Sequence, residues 1–224
     1  MRKVGEFWVP AIDLRWWAKW GKMRRKTLAY YGQGDGPKTE DLMEALSLFE
    51  GGRVALDGGA NVGAYTRILL ERFEEIHAFE PARDTFEALK RNVQEWGGGD
   101  RVHLYQMALS DKEENVRMRG KPGHRSVTRR ISGPGDIPAM PLDALELTEL
   151  DFIKLDLEGY EARALRGASE TLARLKPYVL FEDKEHKAGF YGGINDAHEH
   201  LKSLGARLIA CVGKQQFDWL YGFR

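Results

Sequence analysis

Acidic residues stand at four points where a carboxylate could do chemistry: Asp57, Glu80, the pair Asp156 and Glu158, and Glu182. Each follows a short apolar run: Val54 to Leu56, Ile76 to Phe79, Phe152 to Leu155, and Tyr178 to Phe181. Runs of this length that stop at an acid read as buried parallel strands, and ligands of open α/β sheets collect at such strand ends. A carboxylate there can accept bonds from an ammonium or a hydroxyl, or take up a proton. Neighbouring carboxylates raise one another's pKa, which makes Asp156, Glu158 and Glu182 candidate general bases. By the two-residue period of a strand, Asp156 and Glu158 share one side and Leu157 faces away. No metal is assigned, although these three carboxylates leave one open.

The ligand is narrowed by the turn after Asp57. Gly58-Gly-Ala-Asn-Val-Gly63 leads into Val62, Ile68, Leu69 and Leu70, spaced as one face of a helix. A strand, a glycine turn and a helix start offer free backbone N–H groups to an anionic ligand. The dinucleotide fingerprint requires glycines at relative positions one, three and six. Counting from Gly58, position three is Ala60, and counting from Gly59 it is Asn61, which argues against a nicotinamide oxidoreductase. S-adenosylmethionine suits the pattern better. Asp57 would accept from its ammonium and the turn amides would hold its carboxylate. Glu80, followed by Pro81, would accept both ribose hydroxyls. Either acid alone reads better as a cap on its loop, and the two together argue for a cofactor.

Three stretches in order carry a family resemblance: Leu56-Asp-Gly-Gly-Ala-Asn-Val-Gly-Ala-Tyr-Thr66, Ala78-Phe-Glu-Pro81 and Asp151-Phe-Ile-Lys-Leu-Asp-Leu-Glu-Gly159. With Leu89 to Val93 and Ala108 to Asp111 between them, the chain from about Arg53 to Asp183 resembles the FkbM family of S-adenosylmethionine-dependent methyltransferases. The resemblance implies a doubly wound Rossmann-like α/β fold. Its seven-stranded, mainly parallel sheet would have the order 3-2-1-4-5-7-6, with only the seventh strand antiparallel. It assigns donor contacts to the motif residues Asp57, Gly58, Gly59, Ala60, Asn61, Gly63 and Thr66, to Glu80 and Pro81, and to Asp156. It also places Ala108 beside the adenine and Ser126 toward the cofactor, and it matches Glu182 and His186 to positions after the fifth strand. The implied reaction is methyl transfer to a hydroxyl oxygen of a sugar or other small molecule, with S-adenosylhomocysteine as product.

The remaining elements must carry these residues. Lys38 to Phe49 reads as a helix with Thr39 as N-cap, Arg83 to Trp96 as the helix after Glu80, and Val102 to Met107 as a third strand. Asn115 to Arg119 pairs with a segment from Ser126 onward in a long basic loop, and Tyr160 to Leu175 reads as one helix. A further helix ends at Leu204, and Arg207 to Val212 and Phe217 to Phe223 close the sheet.

Composition bounds the class. The 224 residues suit one domain, and 34 basic against 34 acidic side chains give no global field favouring nucleic acid. The single cysteine, Cys211, excludes an internal disulfide, no zinc-type Cys/His spacing occurs, and no apolar run is long enough for a membrane span. The cytoplasm is the expected location. Residues 1–37 form an aromatic and basic extension before a methyltransferase domain at 38–224. Its Phe7, Trp8, Trp16, Trp17 and Trp20 stand among Arg15, Lys19, Lys22, Arg24, Arg25 and Lys26. They suit either packing or substrate contact, and the resemblance implies a lid. The same segment supplies the alternative of a nucleic-acid methyltransferase, to be told by a steep salt dependence of oligonucleotide binding. A binding module that keeps the cofactor site without catalysis is the third reading.

Overall fold

The computed structural model describes residues 1–11, 39–120, 129–183, 196–214 and 216–223. The chain opens with a hairpin, β1 (Arg2–Val4) and β2 (Phe7–Val9), turned at Gly5 with φ +60°. Helix α1 (Thr39–Ser47) follows, then β3 (Val54–Gly58), α2 (Ala64–Leu69), β4 (Glu75–Phe79), α3 (Arg83–Glu95) and β5 (Val102–Tyr105). A second group of strands comes next: β6 (Ala108–Leu109), β7 (Glu114–Arg119), β8 (Arg130–Pro134) and β9 (Ile137–Met140). Then come β10 (Phe152–Leu155), α4 (Glu161–Arg166), α5 (Ser169–Leu175), β11 (Tyr178–Glu182), α6 (Asp196–Ser203), β12 (Arg207–Val212) and β13 (Asp218–Gly222).

The large sheet runs β12-β13-β11-β10-β3-β4-β5, which is 3-2-1-4-5-7-6 when its strands are counted along the chain. β13 is antiparallel to both its neighbours, whereas β3, β4, β5, β10 and β11 pair in parallel. All five residues of β3 are buried, as expected of a central parallel strand covered on both faces. On one face Ala55, Ile76, Phe152 and Leu180 pack with Leu42 and Leu46 of α1, Leu69 of α2, and Leu89 and Val93 of α3. On the other, Leu56, Ile153, Leu155 and Phe181 pack with Ala164, Leu165, Leu172 and Leu201. Each such leucine or isoleucine contributes about 1.5–3 kcal/mol by burial, so the alternation along the strands fixes which face every polar residue takes.

The stretch 160–175 is two helices, because the chain breaks at Gly167 and Ala168. A Cβ on Gly167 would lie 1.9 Å from the Ser110 carbonyl oxygen, so this close approach requires glycine. Asp143 then accepts the N–H groups of Glu170 and Thr171 at the start of α5. The hydrophobic spacing runs through the break because Ala164, Leu165, Ala168 and Leu172 all face the same core. The third strand likewise stops at Tyr105, and Ala108 and Leu109 leave it to pair in parallel with β9. The small sheet β6-β9-β7-β8 buries Ala108, Val116, Ile131 and Ala139 against Tyr160. It stands beside the carboxyl ends of the main strands.

The hairpin packs Val4, Phe7 and Val9 onto Val62 and Ala88. The buried Asn92 side chain of α3 ties it down, accepting the Trp8 N–H at 2.6 Å and donating to the carbonyls of Trp8 and Val62 at 3.0 and 2.8 Å. Arg91 stacks on the Trp8 ring at 3.3 Å. Phe7 and Trp8 are therefore packing residues, while Trp16, Trp17 and Trp20 lie outside the described residues. Among the described residues no helix is long and apolar enough to cross a membrane.

Candidate functional site

A crevice of about 890 Å³, open solvent at its mouth included, lies where the carboxyl ends of β3, β4 and β10 meet the small sheet. Gly59, Ala60, Asn61, Glu80 and Pro81 form one side, Ala108 with Met107 and Leu109 another, and Asp156, Leu157 and Glu158 a third. Met118 and Ile131 of the small sheet line it too, with Arg129 just before β8.

The turn is built by backbone conformation. Gly59, Asn61 and Gly63 have φ of +78°, +54° and +96°, the left-handed region that glycine adopts without cost and asparagine tolerates. A Cβ on Gly59 would sit 2.1 Å from the Asp156 carbonyl oxygen, so glycine lets the β10 loop close against the β3 turn. The amides expected to be free are taken up within the protein. Gly59 and Ala60 donate to the Phe79 carbonyl at 3.0 and 2.9 Å, and Gly63 to Ala60 at 2.8 Å. Asn61 donates to Glu80 Oε2 at 3.0 Å, and Val62 to the Asn61 side chain at 2.8 Å. The turn is thus a rigid wall, and the cation for an anionic ligand must come from elsewhere.

Lys154 supplies it. It is the register partner of Asp57 across β10 and β3, so the two side chains share a face. Lys154 Nζ lies 3.2 Å from Asp57 Oδ1, and both side chains are buried. Nζ also lies 4.3 Å from the Tyr65 ring centre, and both Lys154 and Tyr65 line the crevice. Asp57 does not line it. Its Oδ2 accepts from Thr66 Oγ1 at 2.6 Å, so Thr66 orients Asp57 and Asp57 holds the lysine. Asp57, expected to accept from a ligand ammonium, thus has Thr66 and Lys154 on its two oxygens, as a charge so fully buried needs a partner within the fold. Gly58 ends β3 beneath the crevice, packed against Leu155.

Glu80 is held with its carboxylate in the crevice wall. Oε1 accepts the Ala82 N–H at 2.8 Å and Oε2 the Asn61 N–H, leaving each oxygen a lone pair. Burial pushes its pKa up to about 7 against the lowering effect of these two bonds and of Arg129. Arg129 is itself ion-paired with Asp84 near the start of α3.

The carboxylates after β10 do not follow the strand period. The strand ends at Leu155, and Glu158 takes φ +56° and Gly159 φ +101°, so Asp156, Leu157 and Glu158 all line the crevice and Leu157 does not face away. The buried Glu161 fixes this loop by accepting the Leu157 N–H at 2.7 Å. Burial is the main cause that raises its pKa to about 8, with the Asp156 charge adding to it. Glu182 ends β11 and lies below the crevice, yet one oxygen from each of Asp156, Glu158 and Glu182 falls within 4.8 Å of the others. Such a set can share a proton or receive a cation. Ser126 and His186 lie outside the described residues.

Lys154 and Glu161 are the residues that reading the sequence missed. A lysine inside Phe152-Ile-Lys-Leu155 was the available signal, since a cation in the middle of a buried strand requires a counter-charge.

The sheet order, the helices on both faces and the crevice define an α/β Rossmann-like fold of the methyltransferase type. Comparison with known proteins agrees: the family model Methyltransferase FkbM domain matches residues 57–208. The chain belongs to the FkbM methyltransferase family. Among solved structures it is similar to the methyltransferase FkbM of Methylobacillus flagellatus KT, with 19% identity, 76% of this chain covered and a TM-score of 0.50. This chain spans only 43% of that one. A Streptococcus mutans protein solved in complex with SAH is 12% identical over 80% of this chain and 92% of its own, with a TM-score of 0.51. The ribosomal protein L11 methylase of Lactobacillus delbrueckii subsp. bulgaricus is 10% identical over 84% of this chain and 79% of its own, with a TM-score of 0.53. At these identities the likeness is one of fold. No curated protein matches the chain.

Proposed function

We propose that this family member transfers a methyl group from S-adenosylmethionine to a hydroxyl oxygen of a small molecule such as a sugar. The observation that carries the reading is Glu80. It is a buried carboxylate whose oxygens are aimed by two backbone amides and keep lone pairs for the paired hydroxyls of a ribose. The apolar patch of Met107, Leu109 and Leu157 suits a purine, and Lys154 with Asp156 suits the opposite charges of an amino-acid end. Asp57 and Thr66 then act as positioning residues behind Lys154.

When bound, the donor supplies a methyl group already made electrophilic by the adjacent sulfonium. The protein's task is to hold an acceptor oxygen within roughly 3–3.5 Å of it, to exclude water and to remove a proton. Asp156, Glu158 and Glu182 are assigned the last step, in which the hydroxyl proton would pass to a carboxylate oxygen as the O–C bond forms and the sulfur–methyl bond breaks, its electron pair staying on sulfur in S-adenosylhomocysteine. Positioned base catalysis of this kind contributes typically ~10²–10⁴-fold.

The test couples binding and turnover. Calorimetry with S-adenosylhomocysteine should show one saturable site in the wild type and much weaker binding in Glu80→Ala. Isotope-labelled donor offered with a panel of hydroxyl-bearing acceptors should transfer label. Unchanged affinity in Glu80→Ala removes the ribose assignment. Label transferred only to amines or to oligonucleotides removes the hydroxyl acceptor.

A further inference from the structure

At the opposite end of the sheet from the crevice, three metal-ligating side chains converge that the proposed reaction does not use. Glu75 and His77 lie two residues apart on β4 and so point to the same face. His103 is the register partner of His77 on β5. The two imidazole rings stack with centres 4.9 Å apart. Both present Nε2 to the same oxygen: Glu75 Oε1 is 3.2 Å from His77 Nε2 and 3.0 Å from His103 Nε2. We propose that Glu75, His77 and His103 form a divalent transition-metal site, suited to zinc, with solvent completing the coordination.

Two observations support a cation here over a simple ion pair. First, a tetrahedral zinc ion with bonds of about 2.0–2.2 Å holds its ligand atoms roughly 3.3 Å apart, close to the separations found. One ligand atom from each of the three residues lies within 4.8 Å of the others, and a rotation of the exposed His103 ring that opens the 20° angle between the stacked imidazoles would bring the set together. Second, His77 is 5% exposed, and its Nε2 lies 3.2 Å from Glu75 Oε1. Its other nitrogen, Nδ1, lies 3.0 Å from Tyr105 Oη. When the phenol oxygen accepts the Nδ1 proton, the lone pair of Nε2 faces Glu75 and His103. This is the outer bond that orients a metal-bound imidazole.

Access is provided. His103 and Glu75 have side chains 50% and 44% exposed, at the edge of a shallow groove that Glu74, Asp100 and Arg53 also line. Two imidazoles and one carboxylate are a ligand set that zinc accepts with an open fourth position. The residues are distant in sequence and are joined only by the register of β4 on β5, which is why no Cys/His spacing announces them.

The experiment is a competition titration of the metal-free protein with zinc against a chromophoric chelator. It is run on the wild type, on His103→Asn and on Glu75→Gln, with circular dichroism to check that each is folded. The wild type should bind one equivalent, and each variant should lose at least ~10-fold in affinity. Cobalt(II) in place of zinc should give the strong visible absorption of a four-coordinate ion in the wild type and lose it in both variants. Zinc bound as tightly by the folded variants as by the wild type overturns the proposal, as does a wild type with no saturable binding below ~1 mM, the weak limit of specific affinity. Both readouts are independent of the methyl donor, so the outcome stands apart from that of the proposed reaction.

Discussion

Replacing Glu80 by glutamine should change how stability depends on pH more than how large it is. In the wild type, burial moves the Glu80 pKa from an ordinary 4.5 to about 7. At about 1.4 kcal/mol per pH unit, the fold favours the neutral carboxyl over the charged one by about 3 kcal/mol. A raised value contributes stability that is fully present below the unfolded-state pKa and is lost as pH rises through the folded one, here between about 4.5 and about 7. Glutamine does not titrate, so it lacks this loss. It also carries one acceptor oxygen where two backbone donors, Asn61 and Ala82, need partners, which costs roughly 1–3 kcal/mol at every pH. The variant should therefore be the less stable protein at pH 5 and should draw level with the wild type or pass it by pH 8. Urea unfolding of both proteins at pH 5, 6, 7 and 8 measures this. Curves that stay parallel across that range would refute the buried, strained carboxylate. Binding should run the other way. The carboxylate is the form that accepts two hydroxyls, so wild-type affinity for S-adenosylhomocysteine should rise as pH passes through about 7 and the variant's should not.

Three further outcomes follow from the site. Asp57→Ala leaves the Lys154 cation buried without its counter-charge and should cost about 3–5 kcal/mol in urea unfolding, most of it recovered by adding Lys154→Met, while donor binding stays lost in both. Gly59→Ala places a Cβ against the Asp156 carbonyl at φ +78° and should lose roughly 1–3 kcal/mol from backbone strain, together with donor affinity; calorimetry and thermal melts read both. Glu182→Gln should keep donor affinity near normal and lower turnover, and equal turnover in a labelled-methyl assay removes Glu182 from proton transfer.

How much of this was legible in the chain depends on how local each signal is. The strands bearing Asp57, Glu80, Asp156 and Glu182 could be read because an apolar run ending in an acid is a contiguous pattern. Glu80 could be placed in the wall for the same reason. The role of Asp57 could not, since it depends on register: only when β10 lies beside β3 does Lys154 fall opposite it. The turn amides misled for a related reason, because the Phe79 carbonyl and the Glu80 carboxylate that take them belong to the next strand. The break between α4 and α5 was hidden by a periodicity that both helices continue, and only the approach of Ser110 to Gly167 reveals it.

The hairpin at the start of the chain has a consequence for engineering. Among the described residues its hold on α3 consists of burial, the bonds of Asn92, the Arg91 stack on Trp8 and the bonds of Lys3 and Trp8 to Glu95, and none of these depends on the polypeptide being continuous with α1, whose own seat is against β12 near the far edge of the sheet. A protease site introduced between residues 12 and 38 should therefore yield two pieces that travel together through a sizing column. The protein could then be supplied as a short peptide and a complementary body, with reassembly itself serving as the signal.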